Sequence, residues 1–343
     1  MFQHPEFKDH ERVAMHYDAA TGLKAFIAIH NTVRGPALGG CRIYPYASPR
    51  QALTDVLRLS RGMTYKSAFA DLPLGGGKMV IIGDPKIIKT PELLRAAGRF
   101  VHAQNGQYIT AEDVGMTSAD CDVIAEMTPY VSGVTSLQCG DPSPSTAYSV
   151  EYAMKAAWKF HTGKVSLKGV YCAIEGLGNV GFELARRLYH LGAILYASEL
   201  DRAKMARARA AFKFTEMDTK ALRKMHVDIY APCALGSVVN EDTINEFHAQ
   251  VICGSANNVL EEPKYADLLR GQGIIYVPDY VANCGGIIDV HYQRSGYDAV
   301  KVKKHIQKIA YTMTLSLLRR AKKDSRTPAE IADEIAEQRF QRP

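Results

Sequence analysis

Two lysines in the first third of the chain stand in surroundings that are unusual for a solvated cation. Lys66 lies in the stretch RGMTYKSA, and Lys78 follows three consecutive glycines in LPLGGGK. Two cations that share a pocket lower each other's pKa, and burial adds to this effect. A lysine that approaches neutrality can act as a general base, while a charged lysine can bind a substrate carboxylate. Asp113, in the segment AEDVG, is a third candidate; for each of the three the alternative is a surface or loop role.

A second motif with chemical meaning is the glycine-rich turn GLGNVG at 176–181. The strand-like run VYCAI precedes it and the helical pattern VGFELARRLYHL follows it, as in a dinucleotide-binding turn. Gly178 would let the backbone approach a pyrophosphate at the helix N-terminus. Glu199 ends the next strand, 21 residues after Gly178, where a carboxylate binds ribose hydroxyls and favours NAD over NADP. The alternative is a turn without a ligand, because GxGxxG alone is a weak signal.

The elements that must position these residues follow two patterns. In the first third, strands predicted at 24–30 and 79–82 alternate with helices predicted at 51–63 and 91–105. From residue 168 onward, short apolar runs alternate regularly with helical segments, which predicts a parallel sheet with helices on both faces. Near the end, Thr327, Pro328 and Glu330 form a capping box that predicts a terminal helix from 328.

The fold class predicted from these patterns is α/β with two domains. An N-terminal α/β domain, which carries the candidate catalytic residues, would span 1–132 and include the last helix at 322–343. A Rossmann-type, doubly wound dinucleotide-binding domain would span 133–321. The total of 343 residues is enough for two domains of ordinary size.

The composition excludes several classes of protein. Hydrophobic residues make up 47% and charged residues 23% of the chain, which is typical of a globular enzyme rather than a disordered chain. We find no apolar run long enough for a membrane helix and no secretory signal. The net charge of +6 is mostly dispersed, and no basic motif interleaved with aromatic residues, as in a nucleic-acid site, accompanies the basic helix predicted around 301–323. Seven cysteines without CxxC spacing favour reduced thiols in a cytoplasmic protein without a bound metal.

Several longer segments carry recognisable motifs over nearly the whole chain. They are GPALGGCR (35–42), RGMTYKSA (61–68), LPLGGGK (72–78), AEDVGMT (111–117), GDPSPSTA (140–147), EGLGNVG (175–181), APCALG (231–236), GSANN (254–258) and PDYVANCGG (278–286). In these segments and their order the chain resembles the glutamate/leucine/phenylalanine/valine dehydrogenase family, most closely its leucine dehydrogenase branch. Together they are far more specific than the glycine turn alone.

The resemblance implies oxidative deamination of an L-amino acid, with hydride passing from the α-carbon to NAD. Lys66 would hold the α-carboxylate, Lys78 would be the general base that activates water, and Asp113 would exchange protons with the amino group. The cofactor contacts expected from the glycine turn and the resemblance together are Thr146, Gly176, Gly178, Asn179, Val180, Gly181, Glu199, Leu200, Ala234, Leu235, Asn258 and Asn283.

The substrate pocket that the resemblance implies is mainly apolar. Its expected residues are Leu38, Gly39, Met63, Lys66, Ala111, Ser132, Ile287 and Val290. A glutamate side chain buried there without a partner would cost several kcal/mol, so leucine, valine and isoleucine are favoured. An aromatic substrate, phenylalanine or tryptophan, is the alternative within the same chemistry, since one methyl group discriminates by only about 1–3 kcal/mol. An alternative of a different class is a non-catalytic regulator that binds NAD or an amino acid.

Three positions depart from the pattern of the leucine branch. Asn257 stands where that branch has Asp, Glu199 replaces an Asp, and Asp289 stands where a neutral amide is usual. The resemblance also implies a cleft between the two domains, a first domain that binds substrate and mediates oligomerisation, and a homo-oligomer, because members of the family usually form octamers or hexamers.

Overall fold

The computed structural model describes residues 2–135, 141–234 and 236–341. Two compact units are present. The first comprises Met1–Asp141, Val290–Tyr297 and Ile335–Pro343, and the second comprises Pro142–Asp289 and Asp298–Glu334. In the described part of the chain, no helix is long and apolar enough to cross a membrane.

The bounds of these units differ from the predicted domains near the C-terminus. Residues 322–334, which we expected in the first domain, belong to the second unit. There Asp333 accepts a hydrogen bond of 2.7 Å from the hydroxyl of Tyr280. Only the last turns join the first unit, where Glu337 accepts a hydrogen bond of 2.7 Å from Tyr65. The capping-box prediction is confirmed, since Thr327 and Glu330 each accept a hydrogen bond from the other's backbone N–H.

The first unit contains a mixed six-stranded sheet and four helices. Its elements are β1 (Arg12–Asp18), β2 (Leu23–Asn31), β3 (Ala37–Leu38), β4 (Cys41–Tyr44), α1 (Pro49–Phe69), β5 (Gly75–Ile82), α2 (Pro85–Ile88), α3 (Pro91–His102), β6 (Tyr108–Ile109) and α4 (Ser118–Ala125). The strand order is β1-β2-β5-β3-β6, and β4 also pairs with β5. β2 is antiparallel to both of its neighbours, β1 and β5, whereas β3 and β4 run parallel to β5 and β6 runs parallel to β3.

Two elements of this unit are longer than predicted. The side chain of Ser48 caps α1, which therefore starts at Pro49 and runs to Phe69. β5 begins at Gly75 rather than at Met79, so the glycine cluster and Lys78 lie within the strand. Glycines can occupy this central strand because they let neighbouring backbone approach closely.

The second unit is a parallel doubly wound sheet, as predicted. Its elements are α5 (Ser143–Thr162), β7 (Tyr171–Glu175), α6 (Asn179–His190), β8 (Ile194–Ser198), α7 (Arg202–Ala211), β9 (Thr215–Glu216), α8 (Thr219–Arg223), β10 (His226–Pro232), β11 (His248–Ile252), α9 (Lys264–Gly271), β12 (Ile275–Tyr276), α10 (Asp279–Ala282), α11 (Gly285–Ser295), α12 (Ala299–Gln307), α13 (Thr314–Asp324) and α14 (Pro328–Phe340). α11 and α14 extend into the residues of the first unit. The strand order β12-β11-β10-β7-β8-β9 reverses beside β7, where a doubly wound sheet binds its ligand.

Candidate active site

The first unit gathers its candidate catalytic residues through close backbone contacts at two glycines. A Cβ on Gly40 would lie 2.2 Å from the carbonyl oxygen of Glu112 and 2.9 Å from the Cβ of Asp113. A Cβ on Gly76 would lie 2.0 Å from the backbone nitrogen of Thr64. Only glycine therefore lets the loop with Asp113 approach the strand end, and lets α1 approach β5. The helix turn that carries Lys66 is thus held against the strand that carries Lys78.

Lys78 is a buried cation that pairs directly with Asp113. The lysine is only 4% exposed, and its Nζ lies 3.0 Å from Asp113 Oδ2. The Nε of Arg42 donates to the same oxygen at 2.8 Å. Burial alone would raise the pKa of Asp113, but Lys78 and Arg42 outweigh it and lower that pKa to about 2. Asp113 is therefore a carboxylate at neutral pH.

Arg42 was not among the predicted site residues, nor were the groups that hold it. Its Nη1 lies 3.0 Å from Asp55 Oδ2, and the hydroxyl of Tyr46 donates to that oxygen at 2.5 Å. We define these five residues, Lys78, Asp113, Arg42, Asp55 and Tyr46, as the charged cluster. The only sequence signal for Arg42 was its place at the end of the motif GPALGGCR. Asp55 and Tyr46 carried no signal, since they become neighbours only through the fold.

The predicted substrate-pocket residues of the first unit lie on adjacent backbone segments. Gly39 N donates to Ile109 O at 3.1 Å, and Ser132 N donates to Thr110 O at 2.8 Å. Leu38 and Ser132 are buried, whereas Met63, Lys66 and Ala111 are half-buried.

The pocket residues from α11 divide between the units. Val290 lies one turn before Arg294, whose Nη1 donates to Val131 O at 2.8 Å, beside Ser132. Arg294 is a missed residue at this site. Ile287 is buried in the second unit, so its place relative to the others stays a prediction.

In the second unit, a cavity of about 720 Å³ lies at the carboxyl ends of β7 and β8. Five of the predicted cofactor residues line it, and these are Gly176, Gly178, Glu199, Leu200 and Ala234. Three cations that the sequence did not single out, Lys204, Lys220 and Arg223, line it as well. Leu235 lies outside the described residues.

The glycine turn has the geometry that a pyrophosphate needs. Gly176 adopts a φ of +98°, which only glycine adopts readily. No atom of the described residues lies within 4 Å of a Cβ built on Gly178, so the space in front of the helix is open. α6 begins at Asn179, and Val180 is its second residue. In the described part of the chain, no side chain caps the N-terminus of this helix. Its first backbone N–H groups are thus available to an anion.

Glu199 is oriented by the turn itself. Its Oε2 accepts from Leu177 N at 2.8 Å and its Oε1 accepts from Asp201 N at 2.9 Å. These bonds hold the carboxylate in the cavity, and each oxygen retains a lone pair for a ligand hydroxyl.

The remaining predicted cofactor residues lie outside the lining of that cavity. Thr146 is in the first turn of α5, and a Cβ on Gly286 would lie 2.6 Å from its Oγ1. Asn283 Nδ2 donates to Asn257 Oδ1 at 2.9 Å, and Asn257 precedes Asn258. Asn283 Oδ1 is buried and has no hydrogen-bond partner among the described residues. A buried acceptor of this kind suits a ligand amide, which can donate to it.

Asp289, one of the three unusual positions, is a buried carboxylate that accepts a hydrogen bond from the hydroxyl of Ser145. Ser145 precedes Thr146. The departure from a neutral amide is thus accommodated by a hydroxyl donor on α5.

Comparisons of the sequence and of the structure with known proteins all match amino-acid dehydrogenases. A model of the Glu/Leu/Phe/Val dehydrogenase dimerisation domain matches residues 7–130, and a model of the glutamate/leucine/phenylalanine/valine dehydrogenase family matches residues 196–342. The chain is 46% identical to a leucine dehydrogenase of Geobacillus stearothermophilus, covering 99% of this chain and 93% of the relative. It is 45% identical to a valine dehydrogenase of Streptomyces coelicolor, covering 98% and 94%. A solved structure of L-tryptophan dehydrogenase from Nostoc punctiforme matches with a TM-score of 0.82 and 40% identity, covering 97% of this chain and 96% of that one.

Proposed function

This chain belongs to the glutamate/leucine/phenylalanine/valine dehydrogenase family and is an amino-acid dehydrogenase, and we propose that its substrates are branched-chain L-amino acids. The reaction is the reversible, NAD-dependent oxidation of leucine, valine or isoleucine, with water, to the 2-oxo acid and ammonium. The observation that carries the proposed mechanism is the buried Lys78–Asp113 pair. A lysine and a carboxylate in contact can move protons to and from an amino group and a water molecule.

Three residues divide the chemistry between them. Lys66 binds the α-carboxylate of the substrate. Asp113, ionised before the substrate binds, takes a proton from the α-ammonium group so that the nitrogen lone pair can form the C=N bond. Lys78, in the neutral form left after its own proton has passed to solvent, takes a proton from the water molecule whose oxygen then bonds to the imine carbon. Asp113 returns its proton to the nitrogen. As the C–N bond breaks, the C=O bond forms, the remaining hydroxyl proton passes to water, and the released ammonia is protonated in water.

The cofactor, when bound, would supply the hydride acceptor: its nicotinamide ring takes the hydride released from the α-carbon as the C=N bond forms. The open space before α6 and the N–H groups there fit a pyrophosphate. Glu199 favours NAD, since a carboxylate held in the cavity repels a 2′-phosphate. Thr146, Asn258 and Asn283 would hold the nicotinamide half.

The preference for an aliphatic substrate rests on the uncharged pocket residues. Leu38 is buried, and Gly39 and Ala111 add no polar side chain. A buried carboxylate without a partner costs several kcal/mol, which disfavours glutamate. The second candidate is an aromatic amino acid, which the match to the tryptophan dehydrogenase of Nostoc punctiforme supports.

The decisive experiment measures NADH oxidation by the purified protein with ammonium and a panel of 2-oxo acids. The panel contains the oxo acids of leucine, valine, phenylalanine, tryptophan and glutamate, and NADPH is run beside NADH. The proposal expects the highest kcat/KM with the two branched acids and little activity with 2-oxoglutarate or NADPH. A preference for phenylpyruvate or indolepyruvate would mean that the substrate is an aromatic rather than a branched-chain amino acid. Inactivity with the whole panel would refute the proposal.

We further propose a cytoplasmic homo-oligomer whose partners are its small-molecule substrates. The first unit matches a dimerisation-domain model, and its edge strand β1 exposes Met15 and Tyr17. The six cysteines in the described ranges are free thiols, which suits a reducing compartment. Light scattering of the purified protein tests the assembly, and a monomer would contradict it.

A further inference from the structure

We propose that Arg42 is a positioning residue that sets the protonation balance of Lys78 and Asp113. It acts through Asp113 and does not itself touch the substrate. The inference rests on the proposed function, because it assigns Arg42 a part in the proton transfers proposed above.

The geometry places two cations on one carboxylate oxygen. Arg42 Nε lies 2.8 Å and Lys78 Nζ lies 3.0 Å from Asp113 Oδ2. Among the described residues, no group hydrogen-bonds to Asp113 Oδ1. One oxygen is thus committed to the two cations, and the other remains to exchange a proton with a bound amine.

The two cations differ in what they can do during turnover. A lysine ammonium can lose its proton within a site, whereas a guanidinium stays charged. Each time Lys78 is neutral, Asp113 would be a carboxylate with little solvent and no counter-charge if Arg42 were absent. Because an uncompensated buried charge is strongly unfavourable, a permanent cation beside Asp113 lets Lys78 cycle between its two forms.

Arg42 is itself held in place from a second side. Its Nη1 pairs with Asp55 on α1 at 3.0 Å, and Tyr46 donates to the same Asp55 oxygen at 2.5 Å. A guanidinium presents several donors in a fixed plane, so it can bridge two carboxylates, which one ammonium cannot do in the same geometry. The charged cluster therefore alternates in sign, from Lys78 through Asp113 and Arg42 to Asp55.

The test is the pH profile of kcat/KM for Arg42→Gln, Arg42→Lys and a matched control. Removing a positive charge favours the protonated form of each neighbouring group, so the acid limb of Arg42→Gln should move up by about one pH unit. Its kcat should fall by about 10- to 100-fold, because the carboxylate also loses its position. Arg42→Lys keeps the charge, so its acid limb should stay near the wild-type position with a partial loss of kcat. Arg34→Gln is the control, since Arg34 pairs with Asp71 at 3.1 Å and is as exposed as Arg42, at 22% against 20%.

An unshifted acid limb in a folded Arg42→Gln enzyme would overturn the proposal, whatever the loss of rate. If Arg42→Gln does not fold, Arg42→Met keeps the packing of the aliphatic stem and is judged by the same shift.

A second readout does not need activity. The melting temperature is measured between pH 5 and pH 2, the range over which the contribution of Asp113 to stability is lost. In Arg42→Gln the fall in melting temperature over this range should be smaller than in wild type and in Arg34→Gln, because the decline begins at the unfolded pKa of 3.8 in all three and ends at a higher pH when the folded pKa is raised. An unchanged decline would also contradict the proposal. If the wild-type enzyme converts none of the oxo acids, the proposed function fails, while this measurement still decides whether Arg42 controls Asp113.

Discussion

The first unit contains two buried polar clusters that differ in charge, although burial disfavours the charged form in both. In the charged cluster, Asp113 is surrounded by cations, and its pKa falls to about 2 despite burial. In the second cluster, His10 and His30 are 6% and 7% exposed and their rings pack edge to face at 4.9 Å. Burial, with the nearby positive charge of Arg61, lowers the pKa of His30 to about 3.

The partners explain the contrast. His10 Nε2 lies 2.9 Å from Ser60 Oγ and 3.1 Å from Leu57 O, and His30 Nδ1 lies 2.8 Å from Thr64 Oγ1. These neutral groups satisfy a neutral imidazole, whereas the groups around Asp113 satisfy an ion. Burial alone therefore does not show whether a polar group is charged, because the charge of its partners decides it.

The largest expected effect is on turnover by the charged cluster. Lys78→Met should lower kcat by about 10³-fold, since it removes the proposed general base, while NADH binding stays within about twofold. His30→Gln is the matched control, because β2 pairs Ala28 with Lys78 and places His30 two residues further along. Steady-state kinetics and NADH fluorescence titration measure both. Equal losses of kcat in the two variants would show that the clusters do not differ in function.

The second effect is the stability of the ion pair. Asp113→Asn leaves Lys78 and Arg42 without their shared carboxylate, so the free energy of unfolding should fall by about 2 kcal/mol at pH 7. The expected loss of stability is smaller than for a fully buried ion pair, because the side chain of Asp113 is 20% exposed. Urea unfolding measures it. A stability equal to wild type would mean that the pair contributes nothing net.

The third effect separates the clusters by pH. The histidines bind protons more tightly in the unfolded chain, with a reference pKa of 6.5, than in the folded one. Stability should therefore fall as the pH drops below about 6.5, by about 1–2 kcal/mol at pH 5 for His30. Asp113 behaves differently, since its contribution is complete above its reference pKa of 3.8 and is lost only as the pH falls toward 2. Chemical unfolding at pH 5, 6 and 7 tests this, and His30→Gln should flatten the slope. A slope unchanged in that variant would assign the loss to other groups.

The smallest effect is the loss of one neutral hydrogen bond. Ser60→Ala removes a partner of His10 and should cost about 1 kcal/mol without changing kcat. Thermal unfolding and the standard assay measure the two quantities. A loss of kcat comparable to that of Lys78→Met would connect the histidine pair to catalysis and break the contrast.

Much of the fold could be predicted because its signals are local. The helix that begins after Thr90 and the one that begins after Thr327 have caps that depend on residues within one turn. The parallel sheet of the second unit was evident because each strand is a continuous apolar run. The strand over the glycines at 75–77 was not evident, since glycine has low strand propensity. Glycine is needed there because a neighbouring helix packs closely against the strand, which the local sequence does not show.

The candidate site divides in the same way. Motifs indicated Lys66, Lys78, Asp113, Gly178 and Glu199, because their residue types and spacing carry chemical meaning. The amino-acid sequence also determined the family, through motifs spread along the chain. Only the tertiary structure showed that Arg42 and Lys78 share one oxygen of Asp113 and that Asp55 holds Arg42. The physical reason is that ionisation depends on charges and burial within a few ångströms. These residues are far apart in the sequence, and only the close backbone contacts at the glycines bring them near one another in space.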